Sequence, residues 1–445
     1  MPKIVIIGAG SGFGGRLSID ILSRKPLQDS EICLCDIHPE RLEKVRAYVQ
    51  RTIDKYQLPA KVRASTNRRE LLPNADFVVT SISVGGGAYY GFPYTAEIEI
   101  PRKYGVCQSV GDTVSPGAVF RFLRTGPVQH QMFADMEELC PRAFVLNHTN
   151  PMAMLSWLHS TGSSMRYVGL CHGIQGTTRN LARWIGVPYE EVSYTVAGIN
   201  HLAWILEFKR GEEDLYPRVR ALAENPEIAD KERVRFEILK QFGYFCTESN
   251  HHDSEYLPYF RRTPELMAHY NLQPRRPADT PPRAREWMAD TGVADDELPV
   301  GTLRLSHEYS SGIMEGIVTD TPYRFYGNVM NHHALITNLP GNCCVEVMCV
   351  ADQRGIHPTY FGDLPPQLAA LCRSNVAVQE LAVKAVQERN REAAFHALCL
   401  DPLTAAVVPL PKIREMFEEM WEAEKELLKW FDPTHQGPLP ETCAA

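Results

Sequence analysis

The 445-residue sequence has no apolar run approaching the roughly 20 residues that span a bilayer. Its longest such runs, Lys3–Gly10 and Ala75–Val84, are of strand length, so no transmembrane helix is expected. Excess positive charge is missing as well. Forty-six Lys and Arg against 54 Asp and Glu give a net charge of −8, no electrostatic footprint for nucleic acid or an anionic membrane. There is no internal repeat and no low-complexity segment. Met1-Pro-Lys3 runs straight into the first apolar run, which leaves no room for a signal peptide and predicts a cytoplasmic protein. In that compartment the 12 cysteines are expected as thiols, not as a disulfide framework. Cys33, Cys35, Cys343 and Cys344 lie in apolar runs and read as small buried hydrophobes. What is present is an ordinary globular balance, 44% hydrophobic and 22% charged, in a chain long enough for two or three domains.

Strand and helix patterns alternate through the first half. Lys3–Gly8 is continuously apolar, the mark of a strand buried on both faces of a parallel sheet. Phe13, Leu17 and Ile21 then recur at helical spacing before Pro26, and Glu31–Asp36 is a second strand. Leu42, Val45, Val49 and Ile53 mark a second helix, and Ala60–Ser65, Ala75–Ser83 and Arg142–Asn147 read as further strands. This alternation predicts a doubly wound parallel sheet. Near residue 190 the texture changes: Val192–Phe208 is long and β-rich, with Arg210–Asp214 as its turn. Asn271–Arg285, with four prolines among arginines, reads as a loop or exposed arm, either solvated or in contact with another subunit. Leu364–Leu398 and Lys412–Trp430 are helical in pattern. The expected division is a Rossmann-type domain over residues 1–190 followed by an α+β domain over 191–445.

Gly8-Ala-Gly10-Ser-Gly12-Phe-Gly14-Gly15 sits where the first strand meets the first helix. Glycines there permit a tight turn and let backbone approach a pyrophosphate, which the helix N-terminus attracts. Two registers compete. Counted from Gly8 the third motif position is Phe13; counted from Gly10, Gly15 completes G-x-G-x-x-G. Asp36 closes the second strand, and a carboxylate there accepts the ribose hydroxyls and repels a 2′-phosphate, favouring NAD over NADP. Its alternative role is a strand-end turn. Gly8, Gly10, Gly12 and Asp36 are the candidate NAD-binding residues.

Tyr167–Leu170 ends in Cys171-His172, and 30 residues after Cys171 comes His201. One thiol and one imidazole at strand ends can share a divalent ion whose shell substrate or water completes, or can be a buried cysteine and a core histidine. With Gly8-Ala-Gly-Ser11, these residues join Val110–Pro116, Asn150–Ala153, Gln175–Thr177, Gly198–Trp204, Tyr323–Phe325, Ile336–Pro340, Gly362–Ala370 and Asp401–Ala406. In that order, across nearly the whole chain, the strings resemble glycoside hydrolase family 4, nearest its melibiose-hydrolysing α-galactosidase branch. The resemblance implies a fold like lactate and malate dehydrogenases, with NAD and a divalent cation, usually manganese. It places Cys171 and His201 as metal ligands, Asn150 near nicotinamide and substrate, and Asp112 and His172 at the sugar.

The family is an exception among glycosidases, most of which use two facing carboxylates. The implied route oxidises the sugar at C3, removes the acidified C2 proton, eliminates the C1 oxygen, adds water and returns the hydride. His172 is placed to protonate the leaving oxygen or to hydrogen-bond substrate. Phe242–His252 occupies the region of the C2 base, with Glu248 in one register and Ser249 in the other. A small α-glycoside is the expected partner, a homo-oligomer the expected assembly. Competing readings are an α-glucosidase, α-glucuronidase or α-galacturonidase of the same family, a 2-hydroxy-acid dehydrogenase, and an NAD-sensing protein that needs neither Cys171 nor His201.

Overall fold

The computed structural model describes residues 1–85, 91–274, 300–435, 437 and 439. Six parallel strands, β1 (Lys3–Ile7), β2 (Glu31–Cys35), β3 (Lys61–Ser65), β4 (Phe77–Thr80), β5 (Phe144–Asn147) and β6 (Arg166–Gly169), lie in the order β3-β2-β1-β4-β5-β6. β1, β2, β4 and β5 are almost wholly buried, which is why they read as unbroken apolar runs. The order reverses between β1 and β4, and such a switch point opens a crevice at the carboxyl ends of the strands.

The sheet does not stop there. Chain order continues with β7 (Ser193–Ile199), β8 (Leu202–Arg210), β9 (Glu213–Asp214), β10 (Phe245–Cys246), β11 (Tyr323–Met330), β12 (Cys344–Asp352) and β13 (Gly355–Pro358). β11 joins β6 in antiparallel fashion through the single pair Asn328–Gly169, and β12, β7, β8 and β10 follow outward. One sheet therefore crosses residue 190, the division expected from sequence. Helix Ser115–Leu139 and helix Met152–Gly162 are buried along most of their length and pack against each other beside the sheet.

Several elements differ from the sequence reading. The β-rich stretch is a hairpin that turns at Asn200-His201, and Arg210–Asp214 forms a second, smaller turn with β9. The sequence places a helix over Thr178–Ile185 after Gln175-Gly-Thr177; the observed helix, Gly173–Trp184, begins earlier and contains those three residues. Leu364–Leu398 divides into helices Pro366–Glu388 and Arg391–Leu400, because Arg389 turns left-handed and the Asn390 side chain caps the second helix. Beyond Pro274 the proline-rich stretch lies outside the described residues.

The structure decides the glycine register. Gly8 has φ +89°, and a Cβ there would meet the Ser81 carbonyl carbon at 2.6 Å. A Cβ at Gly10 would lie 2.7 Å from the Asp36 carboxyl carbon, and one at Gly14 would lie 2.7 Å from the Ala9 carbonyl carbon. Tight turn, close approach and helix-against-loop packing thus fall on Gly8, Gly10 and Gly14, one residue longer than either register. Gly15 has room, its nearest neighbour being Tyr48 at 3.5 Å. Gly14→Ala is accordingly expected to destabilise the protein by about 1–3 kcal/mol through overpacking. Gly15→Ala should be neutral or stabilising by about 0.5–1 kcal/mol through helix propensity. Chemical denaturation of both variants checks this, and equal effects would refute the assignment.

Candidate active site

A cavity of about 560 Å³ runs from the carboxyl end of β1 to the ends of β5 and β6. Its nucleotide end holds Gly8, Gly10, Gly12 and Asp36, and its far end holds Asp112, Asn150, Cys171, His172, His201 and Glu248. All ten therefore line one cavity, whereas Ser249, the alternative to Glu248, does not and instead caps the helix Asn250–Tyr256. Asp36 Oδ2 accepts from Gly10 N at 2.8 Å and Oδ1 from His38 N at 2.9 Å. Its carboxylate is fixed by backbone yet keeps acceptor capacity for hydroxyl groups.

At the far end three segments converge. Cys171 follows β6, His201 sits in the β7–β8 turn with φ +61°, and Glu248 follows β10 with φ +77°. Cys171 Sγ lies 3.3 Å from His201 Nε2 and 3.7 Å from Glu248 Oε1, and the last two atoms are 3.6 Å apart. Thr113 Oγ1 lies 3.2 Å from His201 Nδ1 on the ring's other side. Burial and the nearby Glu248 and Glu346 carboxylates push the Cys171 thiol well above its ordinary range. Burial likewise pulls the His201 imidazole down to about 4. Such an isolated thiol and imidazole are driven to their neutral forms.

A second group lies alongside. His252, one helical turn beyond Glu248, has Nδ1 3.6 Å from Glu248 Oε2 and Nε2 3.4 Å from Asp112 Oδ1. Burial opposes its charge, yet the hydrogen bond to Asp112 and the Glu248 charge push its pKa up to about 9. Asp112 is buried too, but His252, His201 and Arg121 hold its carboxyl well below the usual range. Asn150 Nδ2 donates to Asp112 Oδ2 at 2.9 Å, so Asp112 links the Asn150 side of the cavity to His252. Glu255 anchors the loop carrying Asp112 by accepting from the backbone N–H groups of Ser109, Val110 and Gly111.

His172 stands at the mouth, its side chain 60% exposed, with Nδ1 3.4 Å from Glu308 Oε1. Glu308 also faces His148 Nδ1 at 3.6 Å and Arg16 at 3.8 Å. His252, Glu308 and His148 were not singled out from the sequence. Of these only His252 lay in a segment already under suspicion; the approach of Glu308 to His172 spans 136 positions and leaves no local pattern.

Residues 3–187 match the model described as Family 4 glycosyl hydrolase, and residues 196–404 match the Family 4 glycosyl hydrolase C-terminal domain. The chain belongs to the family 4 glycosyl hydrolases and is a glycoside hydrolase. It is 39% identical over 444 residues to an α-galactosidase of Bacillus subtilis strain 168, an alignment covering 96% of this chain and 99% of that one. In fold it is similar to a 6-phospho-β-glucosidase of Thermotoga maritima solved with manganese, NAD+ and glucose-6-phosphate. That match has a TM-score of 0.77 and 20% identity, covering 96% of this chain and 99% of that one. A malate dehydrogenase of Plasmodium falciparum aligns at a TM-score of 0.50 and 15% identity, covering 89% and 100% of the two chains. The dehydrogenase-like α/β fold read from the sequence is the fold observed.

The Glu308 contact raises the His172 pKa above its ordinary value, the hydrogen bond outweighing desolvation. Glu308→Gln removes the negative partner, so the His172 titration midpoint should fall. An NMR titration of the histidine Cε1–H resonances measures this; an unmoved midpoint would show that Glu308 does not control His172.

Proposed function

We propose that this chain hydrolyses α-galactosides with the help of NAD and a divalent cation, manganese being the expected one. The observation that carries the proposal is the single cavity joining the Gly8–Asp36 crevice to the Cys171–His201–Glu248 cluster. A separate nucleotide site and a separate ion site would not support a shared reaction. The α-galactosidase identity of a relative 39% identical over nearly the whole chain supports the choice of sugar.

Both groups fit the residues present. Gly8 and Gly10 leave space that a Cβ would fill, and Asp36 offers its carboxylate where ribose hydroxyls would arrive. Acidic Asp36 also disfavours a 2′-phosphate, hence NAD over NADP. For the cation, Cys171 and His201 hold their donor atoms 3.3 Å apart. Ligands roughly 2.0–2.3 Å from one ion are spaced in this way. When bound, NAD supplies a hydride acceptor and donor for the sugar C3, and the cation supplies positive charge at the sugar oxygens.

The chain's own groups have distinct tasks. Asp112 and Asn150, hydrogen-bonded to each other, present polar atoms toward the sugar. His172, backed by Glu308 and open to solvent, can hold a proton for the leaving oxygen. Glu248 is the carboxylate placed to accept a proton from C2, with His252 Nδ1 3.6 Å from it. Residues 1–190 are assigned to nucleotide binding, and residues 191–445 to substrate binding and self-association. A cytoplasmic homo-oligomer acting on a small glycoside completes the proposal; among the described residues no helix is long and apolar enough to cross a membrane.

Hydrolysis of an aryl α-galactoside should require NAD without consuming it, and omitting NAD or Mn2+ in turn should abolish turnover. Galactose formed in D2O should carry deuterium at C2, because deprotonation there exchanges the hydrogen, whereas direct displacement never touches that bond. Mass spectrometry of the product decides the matter; a C2 position free of deuterium refutes the elimination route. Net accumulation of NADH would instead mark a dehydrogenase.

A further inference from the structure

We propose that Glu248 is a third protein ligand of the divalent cation, so that the site is a Cys171–His201–Glu248 triad and not a two-ligand pair. The inference rests on the cation reading above and deepens it. Glu248 Oε1 is as near to the other two donors, at 3.6 and 3.7 Å, as they are to each other within half an ångström. Three donors of different chemistry from three separate segments form one triangle of coordination-shell dimensions.

The backbone is built to hold the carboxylate there. Glu248 is a non-glycine residue in the left-handed region, a conformation that persists only where surroundings impose it. They do so from both sides: Glu248 N donates to Thr177 Oγ1 at 3.2 Å, and buried Arg235 donates to the Glu248 carbonyl at 2.8 Å. Space is reserved as well. A Cβ on Gly173 would lie 3.0 Å from Glu248 Cδ and overlap its Oε1, so the absence of a side chain at position 173 is what admits the carboxylate. Gly173 also donates its N–H to Cys171 Sγ at 3.4 Å, so one residue serves both donors.

A carboxylate engaged in this way adds a hard oxygen donor to a soft thiolate and an imidazole, a set better matched to manganese than sulfur and nitrogen alone. It neutralises the cation further and removes Glu248 from the proton-accepting role.

The test is Mn2+ affinity, read by electron paramagnetic resonance of free Mn2+, with NAD affinity as the measure of intact fold. Three variants are compared. Glu248→Gln keeps the shape, Glu248→Gly suits the left-handed backbone, and Gly173→Ala leaves the carboxylate but displaces it. Each is expected to weaken Mn2+ binding at least roughly tenfold while NAD binding stays within twofold, since loss even of groups behind a ligand commonly costs 10–100-fold. In the Co2+-loaded protein, the visible d–d bands should change on Glu248→Gln. Mn2+ affinity within twofold of the wild type in Glu248→Gln and Glu248→Gly, with unchanged cobalt bands, overturns the ligand assignment alone. A wild-type protein that binds no Mn2+ overturns the cation reading and the triad with it.

Discussion

A thiol, an imidazole and a carboxylate meet within 3.7 Å on the wall of the cavity, His201 buried and Cys171 and Glu248 half-buried, and the fold around them is arranged to keep them there. Collecting such groups out of solvent is unfavourable unless each is hydrogen-bonded or paired. Their positions are set by strand ends and turns. Cys171 is fixed by the end of β6. His201 is fixed by the tight β7–β8 turn, and Glu248 by the pairing of Phe245-Cys246 in β10 with Trp204-Ile205 in β8. Trp204 and Phe245 are fully buried, so the two elements that deliver histidine and glutamate share one rigid core.

The same geometry explains why nucleotide crevice and donor cluster form a single cavity. In a parallel sheet every strand ends on the same edge, so Gly8 after β1, Ser81 after β4, His148 after β5 and Cys171 after β6 all open toward one side. The antiparallel strands joined at the Asn328–Gly169 pair bring the remaining donors to that edge. Glu346, opposite Asn328 in the β11–β12 register and hydrogen-bonded to its amide, lies at this seam, where burial pushes its pKa up to about 8.

How much of this is legible in the sequence depends on whether a residue's role is local. The buried parallel strands are, because burial on both faces writes continuous apolar runs. So is the glycine-rich turn, although the extra residue between Gly10 and Gly14 hides its register until the close contact with Ala9 is seen. Cys171, His172 and His201 stand out at strand ends, and their motifs carry the family resemblance. Glu308 does not, because it comes to His172 from a loop that follows residues with no periodic signal. Glu248 was legible as a carboxylate near the chemistry, but only the three-dimensional triangle relates it to Cys171.

The loop carrying Glu308 shows how the two halves depend on each other. Residues 300–309 return to the helices of the N-terminal half: Gly301 N donates to Thr52 Oγ1, and Ser306 N donates to Asp20 Oδ1 at 2.6 Å. Immediately beyond, Arg24 pairs with Glu315 and donates to Ser311 at 2.8 Å. Glu308 itself faces Arg16 on the helix that begins at the glycine turn and His172 at the cavity mouth. A group that faces both the helix after the glycine turn and the histidine at the cavity mouth cannot move without altering both. Substitutions at Arg16, Glu308 and His172 therefore act on one network of charged contacts, where energetic effects do not add. That coupling gives physical content to the continuous sheet: the site is not a cleft between two independent bodies but a seam whose two sides are positioned by the same residues.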